Sequence, residues 1–285
     1  MLTQDRKQRL LKFMLDPSIL IRNISFRNSK TISDKNHIFV VGAPRSGTTL
    51  VKQILSTHPR LRGPGYETAI FMFKDIFNFK FSGFQRDEIS TLIQKSNDIV
   101  DFFDQFAEAN LEKLGGERFV EKTPPHVLQL KFLIKHFPKA QFINIFRDGR
   151  DCYCSAQKHP NIVQGRSVEN YAEYWKKCIK SRLTEASNPK IFDIKYEEFV
   201  ANPGKIVPEI MNFLGEEFDP KQINPEYYSQ NLAVNTRKSH FSKLSKPISR
   251  SSQGRWKSEM EAKEINRFHQ IAGDELRLLG YSTNY

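Results

Sequence analysis

Two short apolar runs stand out against an otherwise mixed chain: His-Ile-Phe-Val-Val-Gly over His37–Gly42 and Gln-Phe-Ile-Asn-Ile-Phe over Gln141–Phe146. Runs of this length, rich in β-branched and aromatic residues and closed by loop formers, predict strands buried on both faces. Each leads into helical spacing. Leu50, Val51, Ile54 and Leu55 share one face of a helix over Gly47–His58, stopped by Pro59. Shorter strands are expected at Phe119–Lys122 and Lys190–Lys195. Val127, Leu130, Ile134 and Phe137 repeat at helical intervals up to Pro138, and Ser167 is a candidate N-cap for a helix to Leu183. Asn202-Pro203 opens a helix ending at Gly215. Ile265, Phe268, Ala272 and Leu276 mark one face of a terminal helix over Glu259–Leu279. Residues 66–115 are expected to be mostly helical, broken near Ser82-Gly83 and closed by Gly115-Gly116, and residues 216–258 to be loop-rich.

Strands alternating with helices predict an α/β fold: one domain over residues 37–285, with a central, mainly parallel sheet flanked by helices. Ligands in such sheets bind at the carboxyl ends of the strands. Residues 1–36 read as a helical extension in which Leu10/Met14 and Leu11/Leu15 pair on one face.

The first strand runs into Pro44-Arg45-Ser46-Gly47-Thr48-Thr49 and then a helix. That order brings backbone N–H groups and a helix N-terminus to one point, a means of holding a phosphate-like anion. Gly42 and Gly47 keep the glycine spacing of a nucleoside-triphosphatase P-loop, but Thr48 stands where that loop carries lysine. The positive charge is on Arg45 instead. The loop is therefore suited to a phosphate group other than the β/γ end of ATP.

Composition narrows the classes without choosing among them. A net charge of +12 over 285 residues implies an anionic partner. The basic residues are scattered, and there is no RNA-recognition, zinc or helix-turn-helix signature, so nucleic acid is not the expected partner. Three cysteines, Cys152, Cys154 and Cys178, lack zinc spacing and favour a reducing compartment; Cys152 and Cys154 read as small faces of one helix. No secretory leader or run of about 18 apolar residues is apparent, so the expectation is a cytoplasmic protein without a membrane span.

Four segments at strand ends resemble the sulfotransferases that use 3′-phosphoadenosine-5′-phosphosulfate (PAPS). Pro44–Thr49 is similar to their 5′-phosphosulfate loop. Arg147 followed eight positions later by Ser155 resembles their 3′-phosphate motif. Tyr196-Glu197-Glu198 resembles the strand end lying against the adenine, and Gly254-Arg255-Trp256-Lys257 the segment closing over the 3′-phosphate. The Pro-Arg-Ser-Gly form is nearest to the tyrosylprotein and carbohydrate branch. The resemblance implies a P-loop-containing nucleotide-hydrolase-like fold and a donor site comprising Pro44, Arg45, Ser46, Gly47, Thr48, Thr49, Arg147, Ser155, Tyr196, Arg250, Gly254, Arg255 and Trp256. Leu50 stands where the family stacks an aromatic residue after the loop, which shifts adenine contact to Tyr196.

Sulfuryl transfer moves SO₃ between two oxygens while charge grows on the departing phosphate, so fixed donors at that oxygen lower the barrier. Arg45 supplies such a donor and needs no metal. By resemblance Lys122 contacts the transferring group; the alternative for it is capping a strand end beside Glu121. A base must take the acceptor proton. The histidine that cytosolic members carry is replaced by Pro124, and His126, two residues on, reads as a helix-start or surface residue. By resemblance to the Gly-Glu-Glu-Thr of the tyrosylprotein branch, Glu67 of Gly65-Tyr66-Glu67-Thr68 is the better candidate; the alternative for it is a glutamate stabilised at a helix N-terminus. The implied reaction is transfer to a hydroxyl or amine of a small molecule, saccharide or peptide. An ATP-dependent P-loop kinase and a non-catalytic polyanion binder remain the alternatives. Phenylalanines between residues 69 and 84 are candidates for lining an acceptor cleft.

Overall fold

The computed structural model describes residues 17–72, 75–231 and 246–283. The pairings Leu10/Met14 and Leu11/Leu15 lie outside them. Five strands form a parallel sheet in the order β2-β3-β1-β4-β5: β1 Ile38–Gly42, β2 Leu61–Arg62, β3 Arg118–Lys122, β4 Gln141–Phe146 and β5 Ile191–Lys195. The chain places β2 and β3 to one side of β1 and β4 and β5 to the other. The loops leaving β1 and β4 therefore meet at a topological switch point, where ligands of open α/β sheets bind.

Both faces of the sheet are covered. In β1, Phe39 and Val41 join a layer with Phe103, Phe119, Phe137, Phe142 and Trp175, while Ile38 and Val40 join Val51, Ile54, Val120, Ile143 and Phe199 on the other side. Two-sided burial explains why β1 and β4 read as unbroken apolar runs rather than alternating ones. In β3 the alternation carries chemistry. Phe119 and Val120 enter opposite layers, so the next pair, Glu121 and Lys122, also leaves the strand on opposite faces.

The helix after β1 spans Thr48–Leu55 (α2; α1 is Pro17–Arg27), and the helix after β4 spans Gly149–Gln157. Ser167 caps Val168–Leu183 by accepting from the Asn170 N–H at 3.2 Å. The terminal helix is Ala262–Leu278, with Ile265, Phe268, Ala272 and Leu276 buried.

One expectation is corrected and one element was unforeseen. Helix occupies only Arg86–Lys95 and Ile99–Leu114 of residues 66–115; the described part of 66–85 is irregular apart from a single 3₁₀ turn at Ile76–Asn78. Its phenylalanines follow no helical period; Phe71 and Phe81 are buried, packing on Phe103 and on Phe102 and Phe106. Tyr196 stands directly after the last residue of β5, as expected, and is the first residue of a helix, Tyr196–Ala201. The two-residue β2 was not expected; it pairs with β3.

Candidate functional site

The loop from β1 to α2 is held from beneath. Gly42 (φ 151°) lies so close to β4 that a Cβ there would stand 2.7 Å from the Ile145 carbonyl oxygen. The Tyr171 hydroxyl donates to the Pro44 carbonyl. Gly47 has φ 110° and packs against the Tyr196 ring, where a Cβ would lie 2.6 Å from Cδ2. Arg45 is itself left-handed, with φ 71°. An arginine in that region costs about 1 kcal/mol or more and persists only where its surroundings impose it.

Arg45 Nε donates to Ser155 Oγ at 3.0 Å. Arg147 lies 5% exposed and reaches the same loop: one amino group donates to the Arg45 carbonyl at 2.8 Å, the other to the Ser252 carbonyl at 2.6 Å. Its guanidinium lies 4.3 Å from the centre of the Tyr196 ring. The residues expected to grip two ends of a nucleotide thus come from β1 and β4 into direct contact. Two of their polar atoms are buried with no hydrogen-bond partner, Ser46 Oγ and Arg147 Nε. Unpaired buried donors are costly, and these two fit a phosphate-bearing ligand that supplies acceptors. Thr48 is buried and Thr49 half-buried at the start of α2.

The C-terminal segment is brought in by a residue not singled out in the sequence. The Asp151 carboxylate accepts from the Gly254 N–H at 2.8 Å and the Trp256 N–H at 3.1 Å. Trp256 is buried beneath the Arg150 guanidinium, 3.7 Å from its ring centre. Arg150 is in turn fixed on Asp148 by bonds of 3.0 and 2.7 Å. The two acids of Arg147-Asp-Gly-Arg-Asp151 therefore serve Arg150 and the C-terminal segment. Arg255 pairs with Glu259 through bonds of 2.7 and 2.9 Å, and the Arg250 side chain is exposed. Neither is bonded to Arg147, in contrast to Ser252, whose carbonyl accepts from it. Tyr196 is committed to Gly47 and Arg147 and is only 8% exposed, which leaves it as a floor under the loop. Glu197 accepts from the Asp148 N–H and the Tyr281 hydroxyl, and burial pushes its carboxyl above the ordinary range.

Across the sheet, Lys122 Nζ donates to Glu67 Oε1 at 2.8 Å; the Lys122 side chain is 9% exposed and that of Glu67 49%. The expected base and charge stabiliser are thus partners, and Lys122 does not cap the strand beside Glu121. Glu121 is fully buried on the opposite face. Its Oε1 accepts from Thr68 Oγ1 at 2.8 Å and Thr123 Oγ1 at 2.6 Å, and its Oε2 lies 2.9 Å from His126 Nδ1. Burial opposes the Glu121 charge, but His126 and the two hydroxyls outweigh it and hold its carboxyl below the usual range. His126 is no surface residue; it is 0% exposed. Lys52 of α2 donates to the Gly63 carbonyl at 2.9 Å. Burial, with Lys122 and Arg62 nearby, brings its ammonium down to about 7. Among the described residues no cluster of His, Cys, Asp or Glu is placed to hold a metal, and no helix is long and apolar enough to cross a membrane.

Comparison with known proteins agrees with this geometry. The chain is 22% identical over 259 residues to a Drosophila melanogaster protein-tyrosine sulfotransferase, covering 86% of this chain and 51% of that protein, so it spans about half of that relative. It is 24% identical to a putative protein-tyrosine sulfotransferase of Caenorhabditis briggsae, over 87% of this chain and 89% of the other. Among solved structures, the sulfotransferase domain of the Synechococcus olefin synthase superposes with a TM-score of 0.62 at 20% identity, covering 88% of this chain and 98% of that one. A mouse sulfotransferase complexed with PAP superposes with a TM-score of 0.53 at 17% identity, covering 89% of each. Residues 37–220, well over half of the chain, match the model of the sulfotransferase family, and the protein belongs to that family.

Proposed function

We propose that this protein transfers a sulfuryl group from PAPS to a hydroxyl, in line and with Glu67 as the base. The single observation that carries the reading is the meeting of Arg45, Ser155 and Arg147, which joins the loops after β1 and β4 into one anion site. Bound there, the donor supplies a sulfuryl group whose departure leaves negative charge on a phosphate oxygen. Arg45 meets that charge with a fixed guanidinium, and a donor oriented before the reaction stabilises the transition state without reorganising. Ser46, Thr48, Thr49 and the loop N–H groups hold the 5′ phosphate, while Arg147 and Ser155 hold the 3′ phosphate. Gly254 and Trp256, drawn in by Asp151, cover the nucleotide.

Glu67 is exposed enough to meet an incoming hydroxyl and takes its proton; Lys122 stays beside both. The relatives' names favour a phenolic hydroxyl, the tyrosine side chain, as the acceptor class. The free, buried Cys152, Cys154 and Cys178 are consistent with a reducing, cytoplasmic setting.

Calorimetry tests the donor. Adenosine 3′,5′-bisphosphate should bind without magnesium, and ATP with magnesium at least about tenfold more weakly, a gap of about 1.4 kcal/mol. Tighter binding of magnesium-ATP would overturn the reading in favour of a kinase.

A further inference from the structure

We infer that Glu121 is a positioning residue for the base: it pins the register in which residues 67–69 cross the end of β3. The inference rests on the sulfuryl-transfer reading of Glu67 and Lys122 and adds to it the element that holds them together. Glu67 and Thr68 are consecutive, and so are their partners Lys122 and Glu121, which leave β3 on opposite faces. The two contacts, Glu67–Lys122 and Thr68–Glu121, therefore straddle the strand end. A slip by one residue exchanges the faces, and Glu67 then loses Lys122.

The hydrogen-bond directions single out an acceptor oxygen at position 121. Each threonine hydroxyl has one proton to give. Thr123 gives its proton to Glu121 and accepts from the Ala69 N–H at 3.0 Å, while Thr68 gives its own to the same Glu121 oxygen. Both hydroxyls are buried, as is the carboxylate. Ala69 has φ 51°, a conformation that alanine adopts only under constraint. The Glu121 hub supplies that constraint through Thr123. Glu121 pairs with His126 and the threonines, and so acts through the segment that bears Glu67.

The test uses the full chain, PAPS labelled in its sulfuryl group, and a tyrosine peptide flanked by glutamates as the probe acceptor. Thr68→Val removes one hydroxyl at nearly constant volume. It should lower kcat about tenfold while bisphosphate affinity stays within about twofold, as expected when a base is misplaced and the donor site is not. In a Glu67→Gln background the same change should cost less than about twofold more, because residues acting as one unit are non-additive. Glu121→Gln keeps an oxygen for both threonines and should retain most of the rate that Glu121→Ala loses. The inference is overturned if Thr68→Val leaves kcat unchanged, if its cost multiplies fully with that of Glu67→Gln, or if bisphosphate affinity falls in parallel with kcat. Failure of the unmodified chain to bind the bisphosphate overturns the donor reading instead, which separates the two.

Discussion

On the side of the cleft built by β1 and β4, Arg147 is 5% exposed, Ser46 is fully buried, and each segment is tied to a neighbour through a backbone carbonyl or N–H. On the side built by β3, Lys122 is buried, but Glu67 sits on an irregular segment with half its side chain in water. The first side suits a ligand whose shape never varies. The second suits a partner that arrives from solvent and must surrender a proton. A buried side next to an exposed carboxylate is what the proposed transfer to a separate acceptor requires, because water admitted to the donor would compete with that acceptor.

Breaking the donor side should cost most. Arg45→Ala is expected to reduce kcat roughly 10³-fold, with bisphosphate binding still measurable by calorimetry because Arg147 and Ser155 remain. Retained turnover would remove Arg45 from the chemistry.

Lys52 spans the two sides, running from the helix behind the phosphate loop to the Gly63 carbonyl ahead of Glu67. Its ammonium titrates near 7 when folded but in the ordinary lysine range when unfolded. Between those values the unfolded chain binds more protons, so this group makes stability rise with pH. Relative to Lys52→Met, the unmodified protein should gain about 2 kcal/mol between pH 7 and pH 9, read from urea midpoints at both pH values. A pH-independent difference would show that Lys52 stays charged.

The smallest effect sharpens the contrast. Asp151→Ala frees the Gly254 and Trp256 N–H groups from the helix after β4. Donor affinity should fall about tenfold, the cost of lost charge-assisted bonds, while kcat at saturation stays near normal. A loss confined to kcat would instead tie that segment to the reacting atoms.

β1, β4 and the cap at Ser167 follow from apolar runs and local hydrogen bonding, and the Pro44–Thr49 loop from its glycines. The pairing of Glu67 with Lys122 was foreseen only as two roles, because nothing local relates residues 55 apart. The roles of Glu121 and Asp151 escaped notice: tertiary folding brings Thr68 to the first and the Gly254 and Trp256 N–H groups to the second, and Thr123 and His126, though near Glu121 in sequence, form no pattern that marks it as their partner. Tyr196 and Arg255 were assigned to the nucleotide from resemblance; the packing of Tyr196 against Gly47 could not be read along the chain, whereas Arg255 and Glu259, four residues apart, are a local pair that the expectation of a loop over residues 216–258 hid. The stretch 66–85 misled because abundant phenylalanine suggests burial but not helical period.

Arg45 and Ala69 are the non-glycine residues with positive φ among those described, and they stand on opposite banks of the cleft. Replacing either with glycine would ease the main chain locally and let it wander, blunting the aim of the guanidinium on one bank and of the carboxylate on the other. Efforts to harden this protein against heat have safer ground in its covered sheet than at these two tensioned corners, where sturdiness and catalytic rate are set against each other.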